Sequence, residues 1–279
     1  MSTDVVVLIL SVALVVAAAP WYVLGALRML RHPQGVRRLR TAVPLLAAGL
    51  VVLVVATGTP LAEYSERRMW THMTQHVVII MVAAPLLAAA QPGRVMLIGM
   101  GSRTRRAMVR LVHACAPMLG APVAWTVQVA ALWIWHMPAA YDLAVRSEPA
   151  HWCEHLTFLL ASWFWWDRLF HLARQRGGQG AAALYVAAIV PPGAALGAVL
   201  TFPDHLLYPA QAAAARHAGI DPLLDQRLAG LVMWVPLDMV FLGIAIALFG
   251  RWLHWLRGEG EAGAVPIALP SDARAESPR

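Results

Sequence analysis

Runs free of charged side chains alternate with short arginine-bearing segments along almost the whole chain. The uncharged runs occupy 5–27, 41–62, 77–90 (from 69 if the polar first turns are counted), 114–137, 181–202 and 228–250. Most approach or exceed the roughly 20 residues that a helix needs to cross a bilayer. A shorter run, 150–166, has a polar outer end and fails on hydropathy alone; with it, the pattern predicts seven transmembrane helices. The expected fold class is all-α, a polytopic membrane protein whose seven spans form one bundle. No long hydrophilic segment divides the series, so 1–257 read as one transmembrane domain. From 258 onward Gly, Ala, Glu and Pro dominate, with too little apolar content to pack, and 258–279 are expected to form a disordered cytoplasmic tail.

Composition and charge give this pattern a direction. Hydrophobic residues make up 59% of the chain and charged residues 13%, against roughly 25% charged in soluble domains. All 22 basic residues are arginine. Seventeen follow spans 1, 3, 5 and 7, at 28–40, 94–110, 168–176 and 251–279; the other five are Arg67, Arg68, Arg146, Arg216 and Arg227. Cytoplasmic loops carry the excess of positive charge, which puts the amino terminus outside and the carboxyl terminus in the cytoplasm. The net charge of +7 is thereby explained by topology: the lipid bilayer is the partner and no nucleic acid is needed. Span 1 reads as a retained helix, because Asp4 stands where a signal peptide carries a basic region, although Ala17, Ala18 and Ala19 imitate a cleavage site. Cys115 and Cys153 belong to opposite faces, which argues against a bond between them within one chain.

Seven of the eleven histidines then fall outside or in outer helical turns: His72, His76, His136, His151, His155, His205 and His217. His32, His113, His171 and His254 lie on the arginine side, where an interfacial role accounts for them. Four of the outer set form two pairs four residues apart, His72/His76 in THMTQH and His151/His155 in HWCEH. That step is a little over one turn, so both imidazoles of a pair share a face. Met69 and Met73 interleave with the first pair. His136 and Met137 close span 4, and His151, Glu154 and His155 share a face at the start of span 5, with Cys153 beside them. Three helices bring the same ligand types to one depth. Imidazole suits copper, zinc and iron, while thioether sulfur selects copper(I).

Blander accounts exist for each piece. Composition alone gives about 0.4 histidine pairs at this helical spacing, a lone interfacial histidine is usually an anchor, and a methionine in a span is usually packing. Two pairs plus His136 on one face outweigh these, because ionisable groups inside spans are costly and mark function. HWCEH also fits the inverted zinc-protease pattern H-x-x-E-H, but no third ligand is identifiable. Glu154 is expected instead to orient an imidazole or to ligate directly. Asp238, about eleven residues into span 7 in VPLDMV, is a lone mid-bilayer carboxyl and is expected to be neutral or paired within the bundle. Pro191-Pro192-Gly193 breaks span 6 and frees backbone donors for it; a structural role and a proton- or ion-handling role both stand. Interfacial belts account for Trp133, Trp135, Trp163, Trp165 and Trp166.

Four segments, HMTQHVVIIMVAAPLL, HWCEHLTFLLASWFWW, FPDHLLYP and DQRLAGLVMWVP, resemble in that order the motifs of the CtaG-like (caa3-type) bacterial cytochrome c oxidase assembly factors. The resemblance runs from about span 2 to span 7. It implies a multi-pass protein of the bacterial cell (inner) membrane, needed to produce active haem–copper oxidase, with copper delivery as its task. Matched position by position, the family's histidine motifs fall on His72, His76, His151 and His155, and its acidic-Gln motif on Asp225 and Gln226, followed by Met233 and Trp234. Two positions depart from the pattern: Cys153 sits inside the second histidine motif, and Asp167 stands where proline is expected after Trp165-Trp166. A copper-insertion protein with one span and a soluble domain shares the family's name but is of another type.

Three functions compete. The first is a copper-binding assembly factor without enzymatic activity. It would receive copper(I) at His72, His76, His151 and His155, with Met69, Met73, His136, Met137 or Cys153 as auxiliary ligands, and pass it to cytochrome c oxidase subunits or an extracytoplasmic copper chaperone. The second is a haem b electron carrier, which needs one imidazole on each side of a flat ring. The third is a copper or proton transporter using Asp238 and the broken span 6. A retinal protein is excluded, since no lysine is present to form the Schiff base.

Overall fold

A computed structural model describes residues 18–58, 64, 65 and 67–263, and every regular element among them is helical. Four helices are long and apolar enough to cross a membrane: Pro33–Thr57, Met69–Gly99, Gln179–Thr201 and Pro222–Gly258. They are the second, third, sixth and seventh of the expected spans. The first is described only from residue 18, as α1 (18–29); 5–17 lie outside the described residues, as does most of the 258–279 tail. The fourth is shorter than its uncharged run. Its helix, α7, covers only Ala121–Trp135, after a 3-10 turn at Ala116–Leu119. Pro117, Gly120 and Pro122 explain the difference, since proline removes backbone donors from a helix interior and is tolerated in its first turn. The fifth is α9 (Glu148–Arg174), 27 residues long, or about 40 Å at the helical rise; its polar first turns are what hydropathy penalises.

The remaining helices are α2 (Pro33–Thr57), α3 (Met69–Val78), α4 (Ala84–Ala90), α5 (Pro92–Gly99), α6 (Ser102–Ala114), α8 (Pro138–Arg146), α10 (Gln179–Ala187), α11 (Val190–Thr201), α12 (Pro209–His217) and α13 (Pro222–Gly263). The amphipathic α6, which hydropathy did not reveal, buries none of its residues. Span 6 breaks between α10 and α11, just before its Pro-Pro-Gly run, because Pro191 and Pro192 suit a helix start rather than an interior.

A single rod organises the bundle. α3 runs through a π-helical turn, Ile79–Ala83, into α4, and α2, α9 and α13 all pack against this rod. The π turn has a local cause. Pro85 has no N–H to offer the preceding carbonyls, and the Trp166 indole donates to the Ile80 carbonyl instead, at 2.9 Å. On the far side α11 and α13 approach closely at glycine: a Cβ on Gly230 would stand 2.3 Å from Thr201 Oγ1. Small residues permit such contact between membrane helices.

Candidate metal centre

The first turns of α3 present Met69, His72, Met73 and His76 to the interior, and all four are buried. α9 faces them with His151, Glu154 and His155; Glu154 is fully buried and His155 nearly so. His136, just beyond the end of α7, closes the third side and is buried as well. The periodicity of three and four that selected these residues also places them on inward faces.

The imidazoles form one cluster. Ring centroids lie 4.3 Å apart for His72–His76 and for His151–His155, 5.1 Å for His72–His151, and 5.3 Å for His76–His155. The Glu154 carboxylate sits against two of them, with Oε2 3.6 Å from His72 Nε2 and Oε1 3.7 Å from His76 Nε2. Those separations exceed an ordinary hydrogen bond. They are near the roughly 3.3 Å between neighbouring ligand atoms of a tetrahedral ion with bonds of about 2 Å. One ligand atom from each of His72, His76 and Glu154 lies within 4.8 Å of the other two.

The hydrogen-bond inventory of this cluster is incomplete. His72 Nε2, both ring nitrogens of His76, His151 Nε2, His155 Nε2 and both Glu154 oxygens are buried with no hydrogen-bond partner among the described residues. Leaving one such group unpaired costs about 1–3 kcal/mol, and more when it is charged. Seven together, all Lewis bases or able to become so, fit a metal ion. His136 adds a polarised pair. Its Nδ1 lies 2.7 Å from the Leu132 carbonyl and so carries the proton in the neutral ring, leaving the Nε2 lone pair 3.3 Å from Met73 Sδ.

Other predicted ligands stay apart. Met137 is 57% exposed and Cys153 is also exposed, so neither joins the buried cluster. His205 is exposed beside Asp204, and His217 is exposed at the end of α12. Asp238 lines a separate cavity with Gln128, Ser162, Trp165 and Gly193. It does stand near the span 6 break, 3.8 Å from where a Cβ on Gly193 would lie, and it makes no hydrogen bond among the described residues.

Supporting residues that spacing alone could not find surround the cluster. Asp225 of α13 accepts the backbone N–H of Met69 at 2.8 Å and of Trp70 at 3.3 Å, capping α3 in place of a local side chain. The adjacent Gln226 accepts from Leu207 N at 2.8 Å and donates to the Leu200 and His205 carbonyls. Gln75 Nε2 donates to the Ala56 carbonyl at 2.8 Å, tying α3 to the end of α2. Tyr208 donates its hydroxyl to the His136 carbonyl at 2.7 Å and packs its ring on Tyr141. Burial first, then the nearby Glu154 charge, hold the Tyr141 phenol well above the ordinary tyrosine range, so it stays protonated.

The architecture is that of a helical membrane protein with a buried histidine–carboxylate cluster at one end. The sequence model of the cytochrome c oxidase caa3 assembly factor family (Caa3_CtaG) matches residues 20–254. The chain belongs to that family of oxidase assembly factors, and all four motifs noted above lie within the matched region. No curated protein and no solved structure matches the chain.

Proposed function

We propose that this assembly factor takes up copper(I) at the His72, His76, His151, His155 and Glu154 cluster and assists its delivery to the haem–copper oxidase. The observation that carries this reading is the set of seven partnerless ring nitrogens and carboxylate oxygens buried in one place. Copper is cargo here, so no bond-making step is required. Met69, Met73 and His136 would supply soft and imidazole ligands at the rim, favouring copper(I) over harder ions. The oxidase subunits are the receiving partner and an extracytoplasmic copper chaperone the donor. The seven-span topology, with the cluster outside and the arginine-rich end in the cytoplasm of a bacterial inner membrane, puts the site where such a donor can reach it. A haem reading is less well supported. Phe158 and Tyr141 pack on the imidazoles, at centroid distances of 4.6 Å from His76 and 5.5 Å from His72, a packing that suits an ion rather than a porphyrin.

The test is copper(I) binding by the detergent-purified, reduced full chain, beside His72→Ala/His76→Ala and His151→Ala/His155→Ala variants. The expected result is about one copper per chain, lost in both variants, as for a site whose ligands are shared between two helices. A folded wild type that binds no copper(I), while oxidase assembly in cells still requires the protein, would overturn the ligand assignment.

A further inference from the structure

The opposite end of the bundle carries a second concave polar site, independent of the metal cluster. Beginning twelve residues beyond His155 on α9, about 18 Å along the helix, Asp167, Arg168, His171, Arg174 and the C-cap residue Gln175 line a cavity of about 280 Å³, together with Gln91 and Arg94. Arg38 of α2 joins the rim through a hydrogen bond from Nη2 to Gln91 Oε1. Three guanidiniums, Arg94, Arg168 and Arg174, therefore line one hollow, and that of Arg38, from a third chain segment, stands at its rim. The one carboxylate lining it, Asp167, is taken up by its neighbour Arg168, which also donates to the Leu119 carbonyl at 3.2 Å. Arg94 makes no side-chain hydrogen bond among the described residues, and Arg174 lies over the Phe170 ring at 5.8 Å. Cations held this close repel one another unless an anion lies between them.

Backbone strain marks the same place. Gln91, between α4 and α5, is the single non-glycine residue with positive φ among those described, at φ 50 and ψ 52. Such a conformation costs a side-chain-bearing residue about 1–2 kcal/mol and persists where the surroundings demand it, often at ligand sites. Here it turns the chain so that Gln91 meets Arg38 and Arg94 follows three residues later at the cavity wall.

We propose that this cavity binds the phosphate headgroup of an anionic phospholipid from the leaflet on the arginine side. Guanidinium forks match phosphate oxygens in pairs, and basic hollows between membrane helices take anionic headgroups. The arginines of α6 offer a contrast, being displayed on a helix none of whose residues is buried.

The experiment uses delipidated full chain in neutral detergent, titrated with short-chain phosphatidylglycerol, short-chain phosphatidylcholine or inorganic phosphate. Thermal unfolding and native mass spectrometry report binding. The expected result is a raised unfolding temperature and retained adducts with phosphatidylglycerol alone. In Arg94→Gln/Arg174→Gln that affinity falls roughly tenfold or more; in Arg103→Gln/Arg105→Gln on α6, which loses the same charge, it stays. Arg94→Lys/Arg174→Lys, keeping charge without the forks, falls between. Helical circular dichroism and a cooperative unfolding transition in each variant verify the fold. Equal weakening by the α6 pair, or equal stabilisation by phosphatidylcholine, overturns the proposal. Inorganic phosphate matching phosphatidylglycerol overturns the lipid assignment and makes the cavity a site for free oxyanions.

Discussion

The carboxylate of Asp225 accepts the backbone N–H of Met69 at 2.8 Å across 156 residues of sequence. The last membrane helix thereby caps the helix that carries the first histidine pair, one turn before His72. An uncapped helix start leaves several backbone donors unmet, and a buried start has no water to meet them.

Asp225→Ala is accordingly expected to destabilise the protein by about 1–2 kcal/mol, the usual worth of a cap, and to weaken copper(I) binding although Asp225 is not itself a ligand. Asp225→Asn keeps an acceptor oxygen and should restore most of both. Thermal unfolding and a copper(I) competition assay read the two effects; unchanged copper affinity in a destabilised alanine variant would confine Asp225 to stability.

Glu154→Gln separates ligation from folding. The fully buried carboxylate has no hydrogen-bond partner among the described residues, and a neutral amide of the same shape avoids the desolvation of a charge. The metal-free variant should therefore unfold at the same or a higher temperature than wild type. Its copper affinity should drop about tenfold or more, as when a ligand or the group orienting one is removed. A variant that unfolds more easily and binds copper normally contradicts the assignment.

Met73→Leu tests metal choice. The two side chains are close in volume, so the stability cost should stay below about 1.5 kcal/mol. With the thioether beside His136 Nε2 gone, copper(I) affinity should fall while zinc(II) affinity holds. The exposed Met137 and Cys153 supply the controls: Met137→Ala and Cys153→Ser should leave both metals unaffected. Loss of copper(I) in either control would mean that these side chains turn inward when metal is bound.

Gln226→Ala removes three bonds that tie α13 to α11 and to the loop before α12. The carbonyls and the N–H left behind cost about 1–3 kcal/mol each where buried. Lowered thermal stability with copper stoichiometry intact is expected. A change in stoichiometry alone would move Gln226 into the metal centre.

Much of this was legible in the chain because helices repeat. The two histidine pairs, Glu154, Met69 and Met73 were found by the period that puts them on one face. Cys153 and Met137 were included because they neighbour His-bearing positions, yet each step along a helix turns a side chain by about 100°, and one step carried Cys153 from the buried face to the exposed one. The caps by Asp225 and the tie by Gln75 join segments far apart in sequence, so no local period announces them; Asp225 surfaced only through the family's acidic-Gln motif. Hydropathy placed the sixth and seventh spans well. It lengthened the fourth because it does not weigh Pro117, Gly120 and Pro122 as helix breakers.

The π turn at Ile79–Ala83 makes the central rod behave like a keyed shaft. Its extra residue sets the azimuth between the histidine face above and the Gln91 corner below. Deleting one residue from the α-helical stretch on either side, with the π turn kept, would turn one end against the other by about 100° and shorten the rod by about 1.5 Å. Both keyways would not then stay aligned: either the imidazoles would leave Glu154, or Gln91 would leave Arg38. The Trp166 indole on the Ile80 carbonyl locks that key from α9, the same helix that reaches both ends.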